Sequence, residues 1–303
     1  MNAEVKQSFI KLHLSIFIAC FTSILGRVIT LNEGLLVFYR LLMSFVILFI
    51  LMLFAKKMCF IKTKEFLKIL GIGVLLGFHW VFFYGSIKYA NVSIGIVCFS
   101  LVSLFTALIE PVINKHRLYF RELLFSLITL GGIVLIFHFD ARYQTGIILG
   151  VISSFLAALY TITNKRVARR HTSTTMLFNE LLGGVIGIGL IMPLYLHYFP
   201  VKTLVPSLSD LGYLFLLSFF CTIGLYLLQI QVLKKISAFT VNLTYNLEPV
   251  YTVILAMLIF QENKDLNPAF YIGMGLIILS VVLQSLTVVY SNRFLAKSQE
   301  NML

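Results

Sequence analysis

Charged residues are scarce in this sequence, and no long polar segment interrupts it. Only 12% of its 303 residues are Asp, Glu, Lys or Arg, whereas 59% are hydrophobic, and the mean hydropathy is +0.97. Soluble domains carry about 25% charged residues. The chain therefore has no room for a separate water-soluble domain, and its activity is expected to take place within a membrane.

The sequence also lacks the patterns that usually mark chemistry. Its four cysteines, Cys20, Cys59, Cys98 and Cys221, are scattered without a CxxC pair, which argues against a disulfide framework or a metal site. No HExxH, GxSxG or Walker A motif is present. We therefore expect no catalytic residues, no metal and no cofactor, and an energy source other than ATP.

Ten apolar segments occupy nearly the whole chain. Because a hydrocarbon core of about 30 Å needs about 20 apolar residues per helical crossing, each segment is long enough to span a membrane. Backbone groups exposed to lipid must be satisfied within their own helix, so these segments are expected to be helical. The predicted fold class is all-α, a polytopic membrane protein with ten transmembrane helices. The predicted spans are residues 10–31, 35–55, 67–87, 92–113, 122–139, 146–164, 174–196, 208–230, 237–260 and 268–290.

The basic residues predict the orientation of these spans. Of the 24 Lys and Arg residues, 18 fall on the side that holds both termini and four on the other side. The positive-inside rule then places the N-terminus and the C-terminus in the cytoplasm. The net charge of +12 is explained by attraction to the anionic cytoplasmic leaflet, so no nucleic-acid partner is expected. Lys62, Lys165 and Lys297 are predicted to be cytoplasmic, and Lys202 and Lys264 to lie outside.

Five spans precede the Asp140–Thr145 loop and five follow it. Because five is odd, the second half enters the membrane from the opposite side, as in an inverted repeat. An offset of 146 residues pairs Lys88 with Lys234 and places Ser103 in the register of Pro249. Two five-helix inverted repeats are therefore expected. Their predicted extents are residues 1–141 (spans 1–5) and 142–303 (spans 6–10).

The stretch LEPVYTVILAMLIFQE, residues Leu247–Glu262, resembles a hallmark of the EamA-type transporters of the drug/metabolite transporter superfamily. In that family each half has a Pro-containing fourth span that ends in an acidic residue, followed by a span with Gly near its start. Pro249, Glu262 and Gly273 fit this pattern in the second half. The first half departs from it, because Ser103 and His116 occupy the positions of the proline and the acid.

This resemblance covers essentially the whole chain, and the Tyr39-Arg40 pair in span 2 is also similar to the family pattern. It implies a secondary transporter of the bacterial inner membrane that moves a small metabolite, such as an amino-acid-like solute, by alternating access. It also implies export as the direction. The substrate would be the partner, with protons as a candidate coupling ion.

Span 9 carries the most polar stripe of any span. Asn242, Asn246 and Glu248 fall close to one helical face, and Tyr245 flanks it. Pro249 removes a backbone donor and frees a carbonyl of the preceding turn, which predicts a structural hinge near mid-membrane. Glu248 is either a proton- or substrate-binding carboxylate or a structural carboxylate bonded to a neighbouring helix.

Two other charged residues within the spans stand out as candidates, Arg40 in span 2 and Glu180 in span 7. Charged side chains inside the membrane are unfavourable unless they meet a partner or water. Arg40 is a candidate ligand for a carboxylate or phosphate, and its alternative role is a fixed structural ion. Glu180 is a second candidate for the substrate or proton path, and its alternative is again structural.

The Phe78-His79-Trp80 sequence, with Tyr84 one turn later, lies halfway along span 3. The only tryptophan is thus away from the interface, where aromatic belts usually place it. His79, Trp80 and Tyr84 are therefore predicted to line a central cavity, shared by spans 2, 3, 4, 7, 8 and 9.

A rival function on the same fold is a flippase for a lipid or lipid-linked sugar. An integral-membrane enzyme is disfavoured because the catalytic motifs are absent. The small-residue patterns Gly73-xxx-Gly77, Gly146-xxx-Gly150 and Gly183-xxx-Gly187 indicate either helix packing or a dimer face, so both a monomer and a homodimer stay open.

Overall fold

A computed structural model describes residues 3–56, 61–115, 117, 120–137, 143–201, 203–261, 268–280 and 282–283. Within these ranges the regular structure is entirely helical. The helices are α1 (Ala3–Val28), α2 (Glu33–Phe54), α3 (Thr63–Tyr89), α4 (Val92–Phe99), α5 (Val102–Asn114), α6 (Phe120–Phe137), α7 (Gln144–Ala168), α8 (Ser173–Tyr198), α9 (Leu208–Ser218), α10 (Leu225–Leu233), α11 (Ala238–Tyr245), α12 (Glu248–Phe260) and α13 (Pro268–Ser280), with a π-helix (Phe219–Gly224) between α9 and α10.

The described chain contains eight helical stretches that are long and apolar enough to cross a membrane, and two shorter apolar helices. The eight stretches correspond to predicted spans 1–4 and 6–9. The shorter helices, Leu123–Leu135 and Pro268–Ser280, lie within predicted spans 5 and 10. The last residues of span 10, 284–290, are outside the described residues. The prediction of an all-α polytopic membrane protein is confirmed.

Helix α3 lies at the centre and packs most extensively against α7 and α8. The Gly73-xxx-Gly77 pattern of α3 and the Gly183-xxx-Gly187 pattern of α8 lie at the same helix contact. A Cβ atom at Gly73 would overlap the backbone carbonyl of Glu180, and one at Gly183 would overlap the backbone of Leu70. Small residues at this crossing allow the two backbones to approach closely, as is usual between membrane helices.

This contact predicts different effects for two glycines of α3. Gly73→Ala is expected to destabilise the protein by about 1–3 kcal/mol, because the new methyl group forces α8 away from α3. Gly71→Ala is the matched control, since no atom lies within 4 Å of a Cβ at that position. Thermal unfolding in detergent should give a lower Tm for Gly73→Ala only, and equal Tm values would contradict the packing.

Spans 4 and 9 are both interrupted at mid-length, at positions related by the offset of 146 residues. Helices α4 and α5 are joined at Ser100-Leu101, and α11 and α12 at Asn246-Leu247. At both breaks two successive N–H groups bond three residues back instead of four, at 3.0 Å. Both spans also end in a left-handed residue, Lys115 (φ 53°) and Gln261 (φ 58°). Such 3-10 turns within a helix often mark hinges.

Only one of these breaks contains a proline. Pro249 is at the start of α12, where it has no N–H to donate and its ring excludes regular helix one turn earlier. In span 4 the equivalent residue, Ser103, donates its hydroxyl to the Ser100 carbonyl at 3.0 Å. The Ser103 hydroxyl also accepts a hydrogen bond from Nδ2 of Asn246 at 3.2 Å, so the two breaks are in contact.

Candidate functional site

A small cavity of about 60 Å³ lies between the helices. Residues of spans 1, 2, 3, 4, 6, 8 and 9 form its wall. Since a water molecule occupies about 30 Å³ of liquid, the cavity has room for only a few waters in this conformation. Six of the sequence-predicted residues line it: Arg40, His79, Trp80, Asn242, Tyr245 and Glu248. The predicted cavity was shared by spans 2, 3, 4, 7, 8 and 9. In the structure, spans 1 and 6 also contribute to the wall and span 7 does not.

Arg40 is fully buried, and its guanidinium group is held by three uncharged partners. Nε donates to the Thr222 hydroxyl at 2.8 Å, Nη1 to the Tyr84 hydroxyl at 2.6 Å and Nη2 to the Cys221 carbonyl at 3.0 Å. Within the described part of the chain, no carboxylate lies within ion-pair distance of Arg40. Because a guanidinium has five N–H donors, two stay available to a ligand.

The π-helix in span 8 shapes the environment of Arg40. Its wider turn brings the Cys221 carbonyl and the Thr222 hydroxyl to the guanidinium. The same hydroxyl donates to the Leu217 carbonyl, five residues earlier, at 3.0 Å. Single-turn π-helices of this kind occur frequently at functional sites.

Aromatic rings surround the Arg40 charge. The guanidinium carbon lies 3.6 Å from the centroid of the Trp80 ring, which is favourable because the ring face is electronegative. Trp80 in turn donates its indole N–H to the Tyr226 hydroxyl at 2.8 Å, and the Tyr160 ring lies 6.0 Å from that of Tyr226. Tyr84 fixes Arg40 from outside the cavity wall, so its position differs from the one predicted for it.

Glu248 lines the cavity from the first turn of α12 and is only 4% exposed. No residue in the described ranges donates a hydrogen bond to its carboxylate or pairs with it. Gln229, on the same wall, also has an unpaired atom, its side-chain oxygen Oε1. Because burying an unpaired polar group is unfavourable, this part of the wall is suited to contact water, a proton or a solute.

Glu180 is also fully buried, but it does not line the cavity. The Tyr160 hydroxyl donates to its carboxylate at 3.0 Å, and Nδ2 of Asn164 does so at 2.8 Å. Arg40 and Glu180 therefore have separate partners, although they occupy similar positions in their halves. Glu180 reaches the cavity only through the ring of Tyr160, which lines it.

The polar residues of span 9 are divided between the cavity and neighbouring helices. Asn242 lines the cavity and donates to the Thr106 hydroxyl at 2.8 Å, and Tyr245 lines it and donates to the Ser15 hydroxyl at 2.9 Å. Asn246 does not reach the wall and instead contacts Ser103. The predicted shared face was wrong for Asn246, because residues two apart on a helix, such as Asn246 and Glu248, point about 200° apart.

His79 lines the cavity and is held by the backbone and side chain of Ser153. Its Nδ1 atom lies 3.1 Å from the Ser153 carbonyl and 2.9 Å from the Ser153 hydroxyl. Since a carbonyl can only accept, we assign the ring proton to Nδ1. The hydroxyl donates in return to the His79 carbonyl at 3.1 Å.

Several residues of the site were missed by the sequence reasoning. Thr222, Gln229, Ser153 and Asn164 are uncharged polar side chains within long apolar spans, and each bonds or faces a residue that was predicted. Their polarity is visible in the sequence, but serine and threonine also bond to their own helix backbone in most membrane spans. The amides of Asn164 and Gln229 could have been recognised in the sequence as candidate site residues.

Comparisons with known proteins identify the relatives of this chain. A model of the EamA-like transporter family matches residues 9–138 and again residues 144–286. An uncharacterized transporter of Haemophilus influenzae is 24% identical over 271 residues, which are 84% of this chain and 86% of the relative. An uncharacterized transporter of Archaeoglobus fulgidus is 24% identical over 73% of this chain and 78% of its own length.

A more distant resemblance is to GDP-fucose transporter 1 of Dictyostelium discoideum, 28% identical over 65% of this chain and 56% of that protein. Among solved structures, one crystal structure of a protein at 16% identity superposes with a TM-score of 0.69, covering 93% of this chain and 97% of the other. At that identity the match establishes a shared fold.

Proposed function

The chain belongs to the EamA-like transporter family, a family of membrane transporters, and we propose that it is a secondary transporter of a small charged metabolite. The observation that carries the proposal is the small cavity between the helices where, among the described residues, Arg40 has no acidic partner and Glu248 has no partner. Two opposite charges within one buried wall favour a solute that supplies the missing partners.

The charges of the cavity support an amino-acid-like solute. The two remaining N–H donors of Arg40 suit a carboxylate, because the planar guanidinium fork matches its geometry. The Glu248 carboxylate suits an ammonium group or a proton, and Trp80 and Tyr226 supply aromatic surface between them. We propose export as the direction, by analogy with the family, and alternating access as the mechanism.

We further propose that residues 1–141 and 142–303 are two inverted repeats. The equivalent breaks in spans 4 and 9, their equivalent caps and the two separate family matches support this arrangement. In addition, α4 packs on α12 and α5 packs on α11. The first helix of span 4 therefore contacts the second helix of span 9, and the second helix of span 4 contacts the first helix of span 9. Such a pair of discontinuous helices is typical of binding sites in transporters with inverted repeats.

The proposal is tested with purified protein in proteoliposomes. A panel of amino acids, sugars, nucleosides, a nucleotide sugar and a lipid-linked sugar should be screened, with and without a pH gradient. We expect transport of a zwitterionic or carboxylate-bearing solute. Transport of the lipid-linked sugar alone would support the rival flippase function, and catalytic turnover of a solute without net movement would contradict transport.

The orientation is also a proposal, with both termini in the cytoplasm of a bacterial cell membrane. Single cysteines at positions 62, 165 and 297 should be protected from an impermeant thiol reagent in intact cells, and those at 202 and 264 should react. Positions 202, 264 and 297 lie outside the described residues, so this experiment reports on them directly. Reaction at position 165 from outside would contradict the orientation.

A further inference from the structure

Two sets of contacts, one at each end of the helix bundle, hold a short interhelical loop in the same way. At one end, the loop between α1 and α2 is held by Lys88 and Asp210. Nζ of Lys88 donates to the Ile29 carbonyl at 3.0 Å. Asp210 accepts from the Thr30 amide at 2.8 Å and from the Thr30 hydroxyl at 2.7 Å. We name these contacts the first clasp.

At the other end, the loop between α7 and α8 is held by Lys234 and Glu65. Nζ of Lys234 donates to the His171 carbonyl at 2.8 Å. Glu65 bonds to the His171 ring at 2.7 Å and to the Arg170 guanidinium at 2.9 Å. We name these contacts the second clasp.

The two clasps are related by exchange of the halves of the chain. In each, the lysine comes from the end of the third span of the same half, and the acid comes from the start of the third span of the other half. Lys88 and Lys234 are the pair that the offset of 146 residues aligns. Because Glu65 and Lys88 are at opposite ends of α3, the clasps are separated by about 35 Å along the helix axis.

The geometry points to a function for this pair, and we propose that the two clasps are the opposite gates of the transport cycle. This inference rests on the proposed alternating-access function. Each acid ties its own half to the loop of the other half, so each end opens only when its clasp releases. Release of the first clasp exposes the cavity at the end that carries Thr30, and release of the second exposes it at the end that carries His171.

Both clasps are closed in this structure, which agrees with a cavity that holds only a few waters. In both clasps a lysine donates to a loop carbonyl, whereas the partners of the acid are neutral in the first clasp and basic side chains in the second. A solute shifts the populations of the two open states by its difference in affinity for them. Beside the first clasp is a polar pocket of about 670 Å³, lined by Glu33, Lys88 and Asp210, into which that gate would open.

The test measures access to the cavity from each side of the membrane. A reporter cysteine at Thr161, which lines the cavity, is introduced after the four native cysteines are replaced. An impermeant maleimide is applied to intact cells and to inside-out vesicles. Thr30→Val and Glu65→Gln should change the ratio of the two labelling rates by about tenfold in opposite directions, because each weakens hydrogen bonds of a carboxylate that joins the two halves.

Matched variants control for indirect effects. Replacement of Lys68, an exposed residue of α3, by Met should leave the ratio unchanged, and the Thr30→Val, Glu65→Gln double variant should return it towards the wild-type value. If either variant fails to fold, Lys88→Met loosens the loop of the first clasp and Lys234→Met that of the second. A labelling ratio that is unchanged, or that both variants shift in the same direction, would overturn the proposal that the clasps are gates.

Labelling of the reporter in the otherwise wild-type protein distinguishes failure of the proposed gates from failure of the proposed alternating-access function. Labelling of the reporter from both sides in the wild type is expected for alternating access itself. If the wild type is labelled from only one side, the proposed mechanism fails. If it is labelled from both sides but the variants do not diverge, the gates lie elsewhere and the transport proposal stands.

Discussion

Replacement of Arg40 by lysine is expected to reduce transport by at least about a hundredfold while the protein stays folded. A single ammonium nitrogen cannot replace a guanidinium that contacts Thr222, Tyr84 and the Cys221 carbonyl together and also stacks on Trp80. Loss of two hydrogen bonds from a buried charged group, at about 1.5–3 kcal/mol each, corresponds to a change of that size. The positive charge itself is kept, so the variant tests geometry and not charge alone.

The measurement is the initial rate of solute uptake by proteoliposomes, with the Tm in detergent as a check on folding. Arg27→Lys is the matched control, because Arg27 is an exposed arginine in span 1. Its transport rate should equal that of the wild type. If Arg40→Lys transports normally, Arg40 is a structural ion only, and recognition of the solute must be assigned to other residues of the wall.

Replacement of Glu248 by glutamine is expected to abolish the response of transport to a pH gradient. Glutamine keeps the size and hydrogen-bonding capacity of the side chain but cannot take up and release a proton. Since the Glu248 carboxylate has no partner among the described residues, the substitution breaks no hydrogen bond or ion pair with any of them. The Tm of this variant should therefore stay close to the wild-type value, and uptake should be compared across a series of imposed pH gradients.

Glu180→Gln separates the two carboxylates. Glu180 accepts hydrogen bonds from Tyr160 and Asn164, and Oδ1 of Asn164 has no partner among the residues that the structure describes, so a rotated Asn164 amide can accept from the new glutamine. We expect this variant to fold and to keep its dependence on the pH gradient. The opposite result, with an intact pH response in Glu248→Gln and loss of it in Glu180→Gln, would transfer the coupling role to Glu180.

Much of the architecture follows from the sequence alone. The spans are visible because only long apolar helices satisfy a lipid-exposed backbone, and the Pro249 region placed the chain in its family. The offset of 146 residues, which aligns Lys88 with Lys234, also aligns the helix breaks of spans 4 and 9 and the left-handed residues that end them. Polar residues such as Glu248 and Asn242 stand out as candidates because charged and amide groups are rare within a membrane.

The tertiary structure decided which of these polar residues face the cavity and what they bind there. In a membrane protein both the lipid side and the interior side of a helix are apolar, so the hydrophobic pattern does not report its rotation. Asn246 and Glu248 were expected on one face, but residues two apart on a helix point about 200° apart, so only one of the two can face the cavity. The partners of Arg40 were hidden for a related reason: a backbone carbonyl and a threonine of the π-helix hold it, and no side-chain pattern announces a π-helix or the free carbonyl that it presents.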